Sequence, residues 1–115
     1  MPLDVQGLDT RRGPAVSILL AVYNGARYLP QTIDAVVAQT MGDWELVVIN
    51  DGSTDSSSSL IRAYQDPRIR FLEQPNSGAA AAIDRGLNAA TGRYIALLDQ
   101  DDVWDKEFLR KHIEA

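Results

Sequence analysis

Hydrophobic and polar positions along this chain fall into blocks whose period keeps switching between strand-like and helix-like. Val16 to Val22 is an almost unbroken apolar run, too short for a buried helix and closed by Asn24-Gly25, so it predicts a buried strand. A helix is expected over Ala26 to Gln39, where Leu29, Ile33, Val36 and Val37 fall on one face and Pro30 is tolerated in the first turn. Trp44 to Ile49 reads as a second strand, and a second helix capped by Asp55 runs to about Gln65 before Asp66-Pro67 breaks it. Ile69 to Leu72 is a short third strand. A third helix over Ala79 to Ala90 carries Ile83, Leu87 and Ala90 as its buried stripe, with Gly92 placed to terminate it. Tyr94 to Leu98 is a fourth strand, and Asp105 to Glu114 a fourth helix opened by Asp105.

Strand and helix alternating this regularly specify an α/β fold: a mostly parallel sheet of about four strands with helices on its faces. In such sheets ligands bind outside the carboxyl ends of the strands. Three of those ends carry polar punctuation: Tyr23-Asn24-Gly25, Asn50 to Asp55, and Asp99-Gln100-Asp101-Asp102. Residues 1–14 lack periodicity and contain Gly7, Gly13 and Pro14, so they are expected to form a flexible lead-in to one folded unit over 15–115.

Composition narrows the partners. The 115 residues include 11 basic and 16 acidic ones, a formal charge of −5, and the basic residues are scattered, which argues against nucleic acid. The absence of cysteine rules out disulfides and thiolate metal sites and is compatible with a cytoplasmic protein. The opening residues lack the basic and apolar regions of a signal peptide, and no apolar run reaches membrane-spanning length. His112, the sole histidine, is expected at the surface.

The sharpest candidate chemistry is the acidic segment Asp99 to Asp102. If the fourth strand continues, Asp99 and Asp101 share a face. Two carboxylates so placed repel unless a cation lies between them, and magnesium is held in this way, by one or two carboxylates plus substrate phosphates. The plainer alternative is a solvated loop. Asp51 likewise either shapes a turn with Gly52 and Ser53 or accepts a hydrogen bond from a ligand amide. Tyr23 is either core or a platform for a planar base. The helix start at Gly78-Ala79 is either close packing or a phosphate seat. A dinucleotide Gly-x-Gly-x-x-Gly, a P-loop and a nucleophile elbow are all absent.

Taken in order, Val16 to Asn24, Glu45 to Asp55, Asn76-Ser77-Gly78, Asn88 to Tyr94 and Leu98 to Asp102 resemble the inverting family-two glycosyltransferases of the GT-A fold over about Pro14 to Ala115. The resemblance implies a Rossmann-like nucleotide-sugar-binding half. In it Ala21, Tyr23, Asn24, Asp51, Gly52, Ser53, Asp99 and Gln100 lie at the nucleotide, and Asp101 with Asp99 holds magnesium or manganese. It further implies a UDP-sugar donor, a glycan or lipid-linked acceptor engaged by a fuller chain, a cytoplasmic location peripheral to the inner membrane face, and a single displacement with the diphosphate leaving. Ala21, Ile83 and Lys106 depart from the family's usual proline, arginine and proline.

In that family the catalytic base follows the Asp-x-Asp segment, so it is expected beyond Ala115, with this chain unable to transfer sugar alone. The fourth strand would then be an exposed apolar edge prone to self-association. Two other readings stay open: a non-catalytic nucleotide- or metal-binding module, and a phosphotransferase with an aspartate nucleophile, against which Ile49 stands where the first such aspartate belongs.

Overall fold

The structure, a computed structural model, describes residues 13–114; the lead-in expected over 1–12 lies outside the described residues. Four strands, β1 (Val16–Val22), β2 (Trp44–Asp51), β3 (Ile69–Gln74) and β4 (Tyr94–Leu98), form one all-parallel sheet in the order β3-β2-β1-β4. Helices α1 (Leu29–Val37), α2 (Ser57–Arg62) and α3 (Ala79–Ala89) connect them, and a π-helical segment closes the chain over Arg110–Glu114. Because β2 and β3 lie to one side of β1 and β4 to the other, the strand order reverses between β1 and β4, which opens a crevice at their carboxyl ends.

The apolar runs form strands because both faces of β1 and β2 are covered. Val16, Ile18, Leu20 and Val22 alternate with Leu19 and Ala21, and the first set joins Leu29, Ile33, Val36, Trp44, Leu46, Val48 and Leu109 in the larger core. Each fully buried aliphatic chain of this kind contributes about 1.5–3 kcal/mol relative to exposure. The opposite face packs Leu19, Val47 and Ile49 against Ala82 of α3 in a smaller core. None of the described helices is long and apolar enough to cross a membrane.

Several boundaries and faces differ from the pattern-based expectation. α1 starts at Leu29, not Ala26, because Gly25 and Ala26 donate their amides to the Ser57 hydroxyl (3.0 Å) and the Asp55 carboxylate (3.1 Å) across the loop. Its buried face includes Thr32, while Val37 is exposed. α2 ends at Arg62, short of Gln65. In α3 the face against the sheet is Ala82 and Gly86, and Leu87 is exposed: a Cβ on Gly86 would lie 2.9 Å from Ile49 Cδ1, so small residues set this close approach. Gly92 does not terminate the helix; a Cβ there would meet the Ser17 amide at 2.6 Å, and its own N–H donates to Ser17 Oγ. β2 and β3 run further than expected, to Asp51 and Gln74, which pair in register.

At the amino end of the sheet a polar clasp that carried no sequence signal ties the α3–β4 loop down. Buried Glu45 accepts from Ser17 Oγ (2.6 Å), from Thr91 N (2.7 Å) and from Arg70 (3.0 Å). Burial pushes its pKa up, but these hydrogen bonds outweigh that and leave it below the ordinary value.

Candidate functional site at the carboxyl ends of the strands

A cavity of about 400 Å³ opens at the carboxyl ends of β1, β2 and β4 on the α3 side of the sheet. It is lined by Ala21, Val22, Tyr23, Asp51, Ala79, Ile83, Leu97, Leu98, Asp99, Gln100 and Asp101. Five expected positions therefore meet there beside Ala21: Tyr23, Asp51, Asp99, Gln100 and Asp101. Asn24, Gly52 and Ser53 do not line it.

Those three build the loops behind the cavity. Asn24, in the left-handed region at φ 50°, accepts at its side-chain oxygen from the amides of Thr54 (2.8 Å) and Asp55 (3.3 Å). Ser53 Oγ accepts from Asn24 N (2.9 Å) and donates to Asn50 Oδ1 (2.5 Å). Gly52 has φ +74°, and a Cβ would lie 2.6 Å from Asn76 N, so this position both needs glycine's backbone freedom and lacks room for a side chain. Their direct role is positioning.

Asp51 lines the cavity with its carboxylate already engaged. Oδ1 accepts from Gln74 Nε2 (2.9 Å) and Ser77 N (2.8 Å), and Oδ2 from Asn76 Nδ2 (3.2 Å) and Gly78 N (2.9 Å). A carboxylate offers about four acceptor positions, so this one is filled. The Gln74 bond leads the causes that hold its pKa below the ordinary value, joined by the Ser77 and Gly78 amides against the opposing effect of burial. Asp51 thereby fixes the start of α3, using the Gly78 amide that a phosphate would otherwise find free.

The acidic segment is a turn, which corrects the expectation that Asp99 and Asp101 project together from a continuing strand. β4 ends at Leu98, and Asp102 N donates to Asp99 O (3.1 Å). The ladder stops because Gln100 replaces its next rung: its side-chain amide accepts from Tyr23 N (2.9 Å) and donates to Tyr23 O (3.2 Å). Gly25 makes room for it, since a Cβ there would lie 2.6 Å from Gln100 Oε1. Thr32 Oγ1 donates to Gln100 O (2.8 Å), which explains why a threonine occupies the buried face of α1. Gln100 thus binds the end of β1 to the acidic turn.

Asp99 and Asp101 are exposed at the cavity edge, and their side chains hold no hydrogen bond or ion pair among the described residues. No group of three or more histidine, aspartate or glutamate side chains there is gathered as a complete metal site. Two uncommitted carboxylates fit a hard cation whose remaining ligands come from elsewhere, phosphate oxygens above all. Tyr23, which also lines the cavity, is 48% exposed. His112 is at the surface, stacked on Phe108 at 4.2 Å, away from this site.

A parallel β3-β2-β1-β4 sheet with its site at the carboxyl ends defines a Rossmann-like α/β domain, here of the GT-A glycosyltransferase type. The family model of glycosyl transferase family 2 matches residues 17–115, and the chain belongs to that family. It is 41% identical over 103 residues to an uncharacterized glycosyltransferase of Nostoc sp., covering 87% of this chain and 32% of the relative. It is 40% identical over 105 residues to the putative teichuronic acid biosynthesis glycosyltransferase TuaG of Bacillus subtilis, covering 88% and 41%. The chain thus spans less than half the length of these relatives. Among solved structures, S. aureus TarS in complex with UDP shares the fold at TM-score 0.79 and 24% identity, over 84% of this chain and 30% of that one. Mannosyltransferase PcManGT from Pyrobaculum calidifontis, in complex with GDP-Man and Mn2+, matches at TM-score 0.75 and 28% identity, over 92% and 33%.

Sequence reasoning missed Gln74 and Leu97, and it gave Asn76, which with Gln74, Ser77 and Gly78 saturates Asp51, no part in holding that carboxylate. The only available signal for Gln74 was its place at the end of the strand beside β2.

Proposed function

We propose that this chain binds a nucleoside diphosphate sugar together with Mg2+ or Mn2+, as the donor-binding part of an inverting glycosyltransferase. The observation that carries the reading is the contrast inside one cavity: three aspartates line it together with Tyr23, one of them saturated and two with uncommitted carboxylates. Tyr23 stacks on the base, with the backbone at Ala21 beside it, and Asp101 with Asp99 holds the cation. The cation, when bound, neutralises charge on the departing diphosphate. Gln100 keeps base platform and acidic turn at a fixed separation, and Asn24, Gly52 and Ser53 shape the wall behind them. Asp51 acts here through α3, presenting Ala79 and Ile83 to the cavity rather than a free carboxylate to the base. PcManGT, whose complex contains both a nucleotide sugar and Mn2+, supports the pairing of ligands.

Transfer requires a base, and among the described residues the cavity offers no further carboxylate once Asp99 and Asp101 hold metal and Asp51 is saturated. The 115 residues are therefore expected to bind donor without transferring sugar, acceptor recognition lying in a fuller chain. Equilibrium dialysis against UDP, GDP and ADP, with Mn2+ or with chelator, tests the proposal. Retention of at least one diphosphate only with Mn2+ is expected, UDP being the first candidate; retention of none, or of all three equally in chelator, would refute it.

A further inference from the structure

β1 outruns its neighbour on the cavity side. Its pairing with β4 ends at Leu20 opposite Leu98, whereas its pairing with β2 continues to Val22 opposite Asn50. Beyond that point the Gln100 carboxamide takes over from the β4 backbone: Oε1 accepts from Tyr23 N (2.9 Å) and Nε2 donates to Tyr23 O (3.2 Å). The task suits glutamine in particular, because ionised glutamate only accepts and asparagine is one methylene shorter. Gln100 is itself held from beneath. Thr32 of α1, buried and outside the cavity lining, donates Oγ1 to Gln100 O (2.8 Å). Just past α1, Gln39 ties down the rest of the same segment, donating to Asp105 O (2.7 Å) and accepting from Leu109 N (3.0 Å). A hydroxyl on the otherwise apolar buried face of α1 costs desolvation unless it is bonded, and Gln100 O is the partner it has.

We propose, resting on the donor-binding reading above, that Thr32 and Gln100 are positioning residues that join Tyr23 and the Asp99 to Asp101 turn into one rigid unit, selecting ligands that carry a base and a diphosphate together. Gln100 lies between Asp99 and Asp101 in the chain, so fixing it to Tyr23 sets the separation of base platform and cation ligands before any ligand arrives. A ligand whose base and diphosphate match that separation gains from both contacts at once, and one with the diphosphate alone gains nothing from it. Thr32 acts through Gln100, and Gln100 through Tyr23.

Equilibrium dialysis against UDP and against inorganic pyrophosphate, each with Mn2+, reads this selectivity. Gln100→Met keeps the side-chain length without either hydrogen bond and should lower the preference for UDP over pyrophosphate about tenfold. Thr32→Val, whose side chain lies outside the cavity, should lower it about threefold, and carries the same test should Gln100→Met fail to fold. With Tyr23→Ala already in place, Gln100→Met should lower the preference no further. Without nucleotide or metal, hydrogen exchange of the Tyr23 amide should quicken at least about tenfold in Gln100→Met. An unchanged preference in both variants, an equal loss of UDP and pyrophosphate, a full further loss on top of Tyr23→Ala, or an unchanged exchange rate would overturn the relay while leaving the donor-binding reading intact. Failure of wild type to hold UDP with Mn2+ would instead refute that reading, and the selectivity with it.

Discussion

Asp51 and Asp101 make an instructive pair. Asp51 ends an apolar strand and Asp101 lies just past one, both line the same cavity, and in sequence both sit among polar residues at a strand end. Asp51 is buried and accepts four hydrogen bonds from Gln74, Asn76, Ser77 and Gly78. Asp101 is exposed, with no internal side-chain partner among the described residues. The first carboxylate is consumed in holding β2, β3 and α3 together, and the second remains available to a ligand. A strand-end aspartate is thus a chemical candidate only after its donors have been counted.

The comparison can be broken most forcefully through Gly52, which lets Asp51 meet its donors. Gly52→Val places a branched side chain at φ +74° against Asn76 and should cost about 3 kcal/mol of stability, read as a lower urea midpoint. An unchanged midpoint would mean that the loop is not under this constraint. Asp51→Ala should also lower the midpoint and abolish nucleotide binding with it, by orphaning the Ser77 and Gly78 amides. Asp101→Ala should stay within about 0.5 kcal/mol of wild type. Equal losses in the two would erase the distinction between them.

On the ligand side, Tyr23→Ala should weaken nucleotide binding by about tenfold, the loss of one stacked base, while Tyr23→Phe keeps it. If both variants bind like wild type, the Tyr23 ring is not the platform. The smallest effect is in pH. Asp51 has a depressed pKa in the folded state, so it contributes stability that is present above its ordinary value of 3.8 and is lost as pH falls through the lower folded value. Asp51→Asn should flatten the acid limb of the stability curve below about pH 4 relative to wild type. An acid limb as steep as wild type would assign that dependence to Glu45, Asp55 and Asp66, whose pKa values are also lowered.

The sheet was legible because β1 and β2 are buried on both faces and so leave unbroken apolar runs, and the polar strand ends located the cavity. The helix faces were less so. Leu87 looks like core by spacing, yet Gly86 faces the sheet because Ile49 and Leu19 leave no room for more. Thr32 looks like surface, yet it is buried on the acidic turn. The hydrogen-bond partners of Asp51 lie 23 to 27 positions away along the chain, and periodicity does not report contacts set by register between strands. Gln100 was placed at the nucleotide by resemblance; that its amide imitates a backbone rung became visible only once Tyr23 stood beside it.

The account rests most directly on the metal dependence of Asp101. Isothermal titration of UDP into wild type and Asp101→Asn, each with Mn2+ and with chelator, isolates it. Wild type should bind at least about tenfold more tightly with Mn2+, a difference of 1.4 kcal/mol or more, and Asp101→Asn should show no such difference. The same Mn2+ enhancement in both proteins would contradict the account.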